Sequence, residues 1–302
     1  MTTYRERMQR YEERAKELQN KDQTEEIRRA AQAVKEAERI VIGGAAGLSA
    51  ANGLDYMSEE VLKKEFPYLW KRGYTHLWQA LWSDDLTEMQ KWVIYADELR
   101  WVYYEMPVLP VYEDLKKIVE GKDYFIISSN IDEQFRKAGF PLDRLHCPQN
   151  SKIRFQCSIP CGNHLWDVKE DYDNILKHAD FETLTFPEEY LPRCPKCGAP
   201  ATRNLSGRPE FVPDEVMALE KDYLAYLNDA KDKKVVFLEL GVGFNTPGVI
   251  RNPFQRMTRL FPQATLIRMN RDHSLVPEKI QDKAIEIGGD IGVALKKWVE
   301  ML

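Results

Sequence analysis

Four apolar runs of strand length, each followed by glycine or small polar residues, constrain this chain more than any other feature. They are RIVIGG from Arg39, YFIISSNID from Tyr124, VVFLELGVGFN from Val235 and ATLIRMN from Ala264. Helical patterns alternate with them. In residues 1–37, Asp22 and Glu25 have capping-box spacing, and Ile27, Ala30, Ala31, Val34 and Ala37 recur on one face. Residues 112–120, 214–230 and the closing IGVALKKWVEML also read as helices. Strands alternating with helices predict an α/β fold with a parallel sheet and helices on both faces. In such sheets ligands bind beyond the carboxyl ends of the strands. The stretches GGAAGLSAANG, SSNID and GVGFN are three such ends.

The first of them has a physical logic for phosphate binding. Gly43, Gly44, Ala45, Ala46 and Gly47 let a backbone approach a pyrophosphate, and Ser49 sits where a helix amino terminus aims its amides. The stretch is not the G-x-G-x-x-G fingerprint, and small residues also serve plain helix–strand packing. Residues 55–106 break the alternation. They are rich in rings, among them Tyr56, Phe66, Trp70, Trp78, Trp82, Trp92 and Trp101, and read as a helical insert whose aromatics pack a core.

Four of the five cysteines fall in two close pairs, Cys157 with Cys161 and Cys194 with Cys197. The second pair lies in RCPKCGAP, where Gly198 lets amides turn toward a thiolate. Two local pairs joined by a loop are how tetrahedral zinc receives four ligands, and four thiolates make a closed, structural site. His164 lies near the first pair, but the set is complete without it. Cys147 is left over and reads as an inert buried thiol.

Composition removes some classes of function. The net charge is −5 and the pI about 5.7, which argues against nucleic acid as a main partner. No run of apolar residues is long enough to span a membrane. The amino terminus is charged, without the apolar core of a secretory signal, so a cytoplasmic location is expected.

Taken in order, these residues resemble a family. AAGLSAANGLDY is similar to the sirtuin opening GAGISxxxGIPDF, SSNID to the sirtuin TQNID, and the four cysteines to the sirtuin zinc ribbon. GVGFN stands where sirtuins carry GTS, Arg268-Met269-Asn270 at their I-N-x strand end, and Gly289-Asp290 at their closing GD. The chain departs from deacylases in three places. The P-D-F proline is replaced, giving Leu54-Asp55-Tyr56, no arginine follows, and the family spacing back from Cys157 reaches Gln149 instead of histidine. That pattern, with GVG-x-x-TP, resembles the microbial class M sirtuins, which are similar to protein ADP-ribosyltransferases and often encoded beside a macrodomain and a lipoyl-carrier protein.

The resemblance implies a Rossmann-like NAD-binding domain from residues 25–54, 107–150 and 206–302. It implies a small domain made of the helical insert, 55–106, and the zinc ribbon, 151–205, with 1–24 as an N-terminal helical extension. It also implies NAD as co-substrate and structural Zn²⁺. Asn130 and Asp132 would hold the nicotinamide carboxamide and the ribose. Gly44, Ala45, Ala46, Gly47 and Ser49 would hold phosphates. Gly241, Gly243 and Asn270 would line the adenosine half, and Asp55, Asn245 and Asp290 complete the cofactor set.

Gln149 joins Asn130 and Asp132 as the expected catalytic group. An imidazole accepts a proton near neutrality, as the deacylase step requires, whereas a glutamine amide can only orient by hydrogen bonding. Gln149 therefore favours transfer of ADP-ribose to a protein acceptor, with a lipoylated glycine-cleavage H-like carrier and a macrodomain as expected partners. The alternatives are a lysine deacylase using His146 as a substitute base, a non-catalytic NAD or ADP-ribose sensor, and a free NAD glycohydrolase. Loss of acyl-lysine, absence of nicotinamide release, or water as the acceptor would distinguish them.

Overall fold

The computed structural model describes the backbone of residues 4–159 and 161–302, and side chains in the first helix from Glu12 on. Residues 1–3 of the N-terminal extension lie outside the described residues. In chain order the strands are β1 (Arg39–Gly44), β2 (Tyr124–Ser128), β3 (Leu145–His146), β4 (Asn150–Cys157), β5 (Trp166–Asp167), β6 (Ala201–Leu205), β7 (Val235–Leu240), β8 (Ala264–Asn270) and β9 (Ala284–Gly288). Six of them form one sheet in the order β3-β2-β1-β7-β8-β9, all parallel. Counted within that sheet, this is the 3-2-1-4-5-6 order of doubly wound dinucleotide folds. The order reverses between β1 and β7, so the crevice must open beyond Gly44 and Leu240.

Burial explains the continuous apolar runs. Strand β7 is buried at every residue and β1 at all but its first. Alternate residues serve opposite layers: Ile40 and Ile42 pack with the face that carries α2 (Thr24–Glu36), whereas Val41 packs with Tyr223, Tyr226 and Phe254 on the other. A central parallel strand covered on both faces has no polar side to show.

The N-terminal pattern divides where the sequence placed a capping box. Helix α1 (Tyr4–Asn20) ends before α2 begins. Asp22 accepts from the Thr24 amide (3.1 Å) and from the Thr24 hydroxyl, so it fastens the turn without reaching Glu25. The insert is helical, with segments at Glu59–Glu65, Pro67–Lys71, Leu77–Leu81 and Glu88–Leu99, continued by a π-helical turn over Arg100–Glu105. Phe66, Trp92 and Trp101 are core residues as expected. Trp70, Trp78 and Trp82 are not: all three are exposed, Trp82 at 69%, and Trp78 and Trp82 lie tilted against each other at 5.6 Å.

Strands β4, β5 and β6 form a second, antiparallel sheet in the order β5-β4-β6. It meets the insert through a buried charge cluster. The Lys152 ammonium donates to the Tyr56 hydroxyl (2.8 Å) and to Glu98, and Arg203 lies 3.5 Å from Glu98 and over the Tyr95 ring. Charges this deep are tolerated because each finds a partner.

Candidate active site

Beyond β1 the chain turns through Ala45, in extended conformation, into the short helix α3 (Ala46–Ala50). The turn lies directly on the end of β7. The Gly47 amide donates to the Gly241 carbonyl (3.1 Å), and the Ala45 amide to that of Leu240 (3.1 Å). A Cβ on Gly47 would stand 2.7 Å from the Gly241 oxygen, and one on Gly241, whose φ is +67°, only 2.1 Å from the Leu48 nitrogen. Glycine is required at both positions because two backbones touch there. Gly44 is also close-packed, with Phe135 where its Cβ would be, whereas Gly243 faces open space. Ala45 is buried and Ala46 exposed at the helix start.

The second strand end is tied to the first. The Ser129 amide donates to the Gly44 carbonyl (3.0 Å), and the Ser128 hydroxyl accepts from the Asn130 amide (3.1 Å). Asn130 Nδ2 then donates to both Ser49 Oγ and the Tyr112 hydroxyl, each at 3.2 Å. Ser49 donates to Asp132 Oδ2 at 2.5 Å and lies 2.6 Å from the Tyr112 oxygen. The other Asp132 oxygen accepts from the Gln134 amide (3.0 Å). Ser49 and Asp132 are both buried, and burial pushes the Asp132 carboxyl above its ordinary range despite these donors. Gln149 joins the same loop, its Nε2 donating to the Ser129 carbonyl at 3.0 Å.

The third strand end is held differently. Glu239, fully buried on β7, pairs with Arg268 (2.7 Å) and Arg251 (3.3 Å). Those guanidiniums donate onward to the carbonyls of Val242, His273 and Leu275, each at 2.8 Å. Asn270 Nδ2 donates to the Val242 carbonyl as well (2.9 Å), and its oxygen accepts from the amides of Asp272 and His273. Phe244 stands exposed at the rim, over Arg251 and against the His273 ring.

The fold thus brings Ser49, Asn130 and Asp132 into one hydrogen-bonded group, with Gln149 one residue removed, and sets Gly44, Gly47 and Gly241 beneath it. Asn270 is joined to the Gly241 side through Val242. Three other sequence candidates stand apart from this group: Asp55 accepts from the Met57 amide (2.9 Å), Asp290 caps helix Ile291–Val299 through the Val293 amide (2.9 Å), and Asn245 is exposed on its loop. Tyr112 was not visible as a site residue. It lies on the buried face of the amphipathic helix Pro110–Ile118, and nothing in that helix's pattern separates its hydroxyl from an ordinary core ring.

His146, the alternative base, is stacked on Tyr223 at 5.7 Å and buried, with Nδ1 unpartnered. Burial pushes its pKa below the ordinary histidine value. It faces the helix Asp214–Ala230 and not the Ser49–Asp132 group.

The four ribbon sulfurs lie within 4.8 Å of one another, Cys157 to Cys197 at 3.6 Å and Cys161 to Cys194 at 3.7 Å. A tetrahedron of ~2.3 Å metal–sulfur bonds has edges of about 3.8 Å, so the donor set fits Zn²⁺ in a closed site. His164 Nε2 lies 3.3 Å from Cys194 Sγ, as a neighbour of the sulfurs.

No family model matches the chain. It is 34% identical over 266 residues to a protein ADP-ribosyltransferase of Staphylococcus aureus, covering 87% of this chain and 84% of that protein. It is 30% identical to a probable bifunctional ADP-ribose hydrolase/ADP-ribosyltransferase of Fusarium oxysporum f. sp. cubense, over 87% of this chain and 46% of that protein. Among solved structures, a Sir2 homolog–NAD complex aligns with a TM-score of 0.56 at 16% identity, over 91% of this chain and 93% of that one. Sir2Tm bound to a propionylated peptide aligns with a TM-score of 0.57 at 14% identity, over 91% and 98%. These structures show that the chain has the Sir2 fold, and the sequence relatives settle the kinship: the chain belongs to the protein ADP-ribosyltransferases.

Proposed function

We propose that this protein cleaves the nicotinamide–ribose bond of NAD and transfers ADP-ribose to a protein acceptor. The observation that carries the reading is the composition of the group around Asn130: an asparagine, a serine, a buried carboxylate and the amide of Gln149, with the nearest imidazole of the chain's own sequence, His146, turned into the core. The names of both sequence relatives support it.

In this reading Asn130 and Asp132 hold the nicotinamide and ribose end. The C1′–N bond breaks with its electron pair leaving on nicotinamide, so a neutral base departs and positive charge develops on the ribose. A buried carboxylate fixed by Ser49 and the Gln134 amide stabilises that charge without reorganising. The acceptor's nucleophile then bonds to C1′, and any proton it carries passes to solvent. Gln149, anchored on Ser129, orients and does not abstract. Ser49 works one step back from the phosphates, because its hydroxyl is engaged by Asp132, Tyr112 and Asn130. Gly44, Ala45, Ala46 and Gly47 face the pyrophosphate, and Gly241, Gly243, Asn245, Asn270 and Asp290 shape the adenosine end, with Asp55 at the mouth.

For the acceptor we propose a lipoyl-carrier protein, on the class M resemblance. A macrodomain-type partner that removes ADP-ribose accords with the Fusarium relative, whose name joins a hydrolase to the transferase. The test is incubation with labelled NAD and lipoylated carrier, followed by mass spectrometry. An ADP-ribose adduct that disappears in Asn130→Ala is expected. Nicotinamide release with no adduct on any protein would replace transfer by hydrolysis.

A further inference from the structure

The N-terminal helices are unused by the site so far, yet they are attached to one particular part of it. β9 is the edge strand, and Gly288, its last residue, turns its N–H and C=O outward. Gln23 meets both: its Nε2 donates to the Gly288 carbonyl (2.8 Å) and its Oε1 accepts from the Gly288 amide (2.7 Å). The same Nε2 donates to the Leu18 carbonyl at the end of α1 (2.7 Å). One buried side chain thus completes the sheet edge and fixes the helix end to it.

The contact is close at position 288. A Cβ there would stand 3.1 Å from the Leu18 carbonyl carbon and 3.2 Å from the Gln19 nitrogen, so the end of α1 would have to give way by a few tenths of an ångström. One residue further along α1, Gln19 Nε2 donates to the Arg271 carbonyl at 2.6 Å, immediately after Asn270. Arg14 pairs with Glu286 in the middle of β9, and Glu286 in turn accepts from the Val276 amide (2.6 Å). Every one of these ties ends on β9 or on the segment just beyond β8. None reaches the loop that carries Asn130.

We propose that α1 and the turn after it form a clamp on the adenosine side of the crevice, with Gln23 and Gln19 as positioning residues for dinucleotide affinity. The proposal rests on the reading of the crevice given above. Gln23 holds the residue that leads into Gly289 and Asp290, and Gln19 holds the residue after Asn270. The β8–β9 ladder pairs the strands as far as Asn270 and Gly288, so the clamp acts on the two segments just beyond it, which are expected to receive adenosine. Loosening it lets those segments shift and weakens binding of anything that carries adenosine. The bond-breaking end, tied through Gly44 and Ser129, stays as it is.

The test uses the full, zinc-loaded chain and two variants, Gln23→Met, which keeps the buried length but makes none of the three hydrogen bonds, and Gln19→Ala, whose tie lies at the surface. ADP-ribose affinity is measured by calorimetry, and KM for NAD and kcat from nicotinamide release. ADP-ribose is expected to bind about tenfold more weakly to Gln23→Met and about threefold more weakly to Gln19→Ala, the worth of the two bonds to Gly288 and of the one to Arg271. KM for NAD should rise by the same factors with kcat within about twofold of wild type. A merely destabilised chain would lose active fraction, hence kcat, and keep its KM. Folded variants that bind ADP-ribose as wild type does overturn the clamp alone. Wild-type chain that binds neither ADP-ribose nor NAD overturns the reading of the crevice and the clamp with it. Should Gln23→Met fail to fold, Gln19→Ala still decides.

Discussion

The two sides of the crevice are held in shape by opposite means. On the β1–β2 side, short neutral side chains and one buried carboxylate make the ties: Ser49, Ser128, Asn130, Asp132 and Gln149. On the β7–β8 side, a buried Arg–Glu–Arg triad draws three loop carbonyls inward, and Asn270 shares one of them. Bonds of the first kind can be exchanged for bonds to a ligand, since amides and hydroxyls lose little on changing partners. Ties of the second kind cannot, because a charge left alone in the core costs several kcal/mol. In the proposed reading, the difference separates a side that does chemistry from a side that keeps a shape.

Removing one member of the triad should do the greatest damage. Glu239→Ala strands two buried guanidiniums, and about 3–5 kcal/mol of folding stability should go with it, seen as a lower denaturant midpoint. Stability near wild type would erase the contrast. Asn130→Ala should do the reverse: nicotinamide release falls about 100-fold, on the scale of losing one preorganised transition-state donor, while the melting temperature barely moves. Cys194→Ser should release the metal, read by zinc content. Strand β4 starts at Asn150, the residue after Gln149, so catalysis should suffer more than ADP-ribose binding.

A smaller effect concerns pH. Asp132 is raised by burial, so its ionised form is lost on acidification earlier than an ordinary carboxylate. The acid limb of kcat/KM should lie above the usual carboxylate range, and Asp132→Asn should remove that limb together with much of the rate. Stability carries its own sign. A carboxyl raised in the folded state stabilises below its unfolded pKa, and that contribution is lost as pH rises through the folded value. Wild type should therefore lose stability relative to Asp132→Asn over that interval. The smallest change is expected of Gln149→Ala, about fivefold in rate, because an orienting hydrogen bond is worth about 1 kcal/mol.

Much of this was legible in the sequence, and the reasons differ by element. Strands β1, β2, β7 and β8 were visible because burial on both faces leaves them mostly apolar, and the cysteine pairs because metal geometry demands local spacing. Strand β9 was not. AIEIG has Glu286 in the middle, where an edge strand meets Arg14. Strand β3 has only two residues. Asn130 and Asp132 stood out by their position after an apolar run. Tyr112 and Lys152 did not, since their partners come from distant segments and no local pattern records them. The exposed pair Trp78 and Trp82 departs from the core role expected of rings because helix Leu77–Leu81 is too short to bury more than one face.

The contact of Gly47 with Gly241 has a consequence for how such a pocket can change. Where the two halves of the sheet part company there is main chain against main chain, with no side chain to trim or enlarge. A methyl group on either partner would wedge the halves open, and no compensating cut is available on the other. Variation in what this pocket accepts must therefore enter from its walls and its mouth, and the floor is left without any route by which to drift.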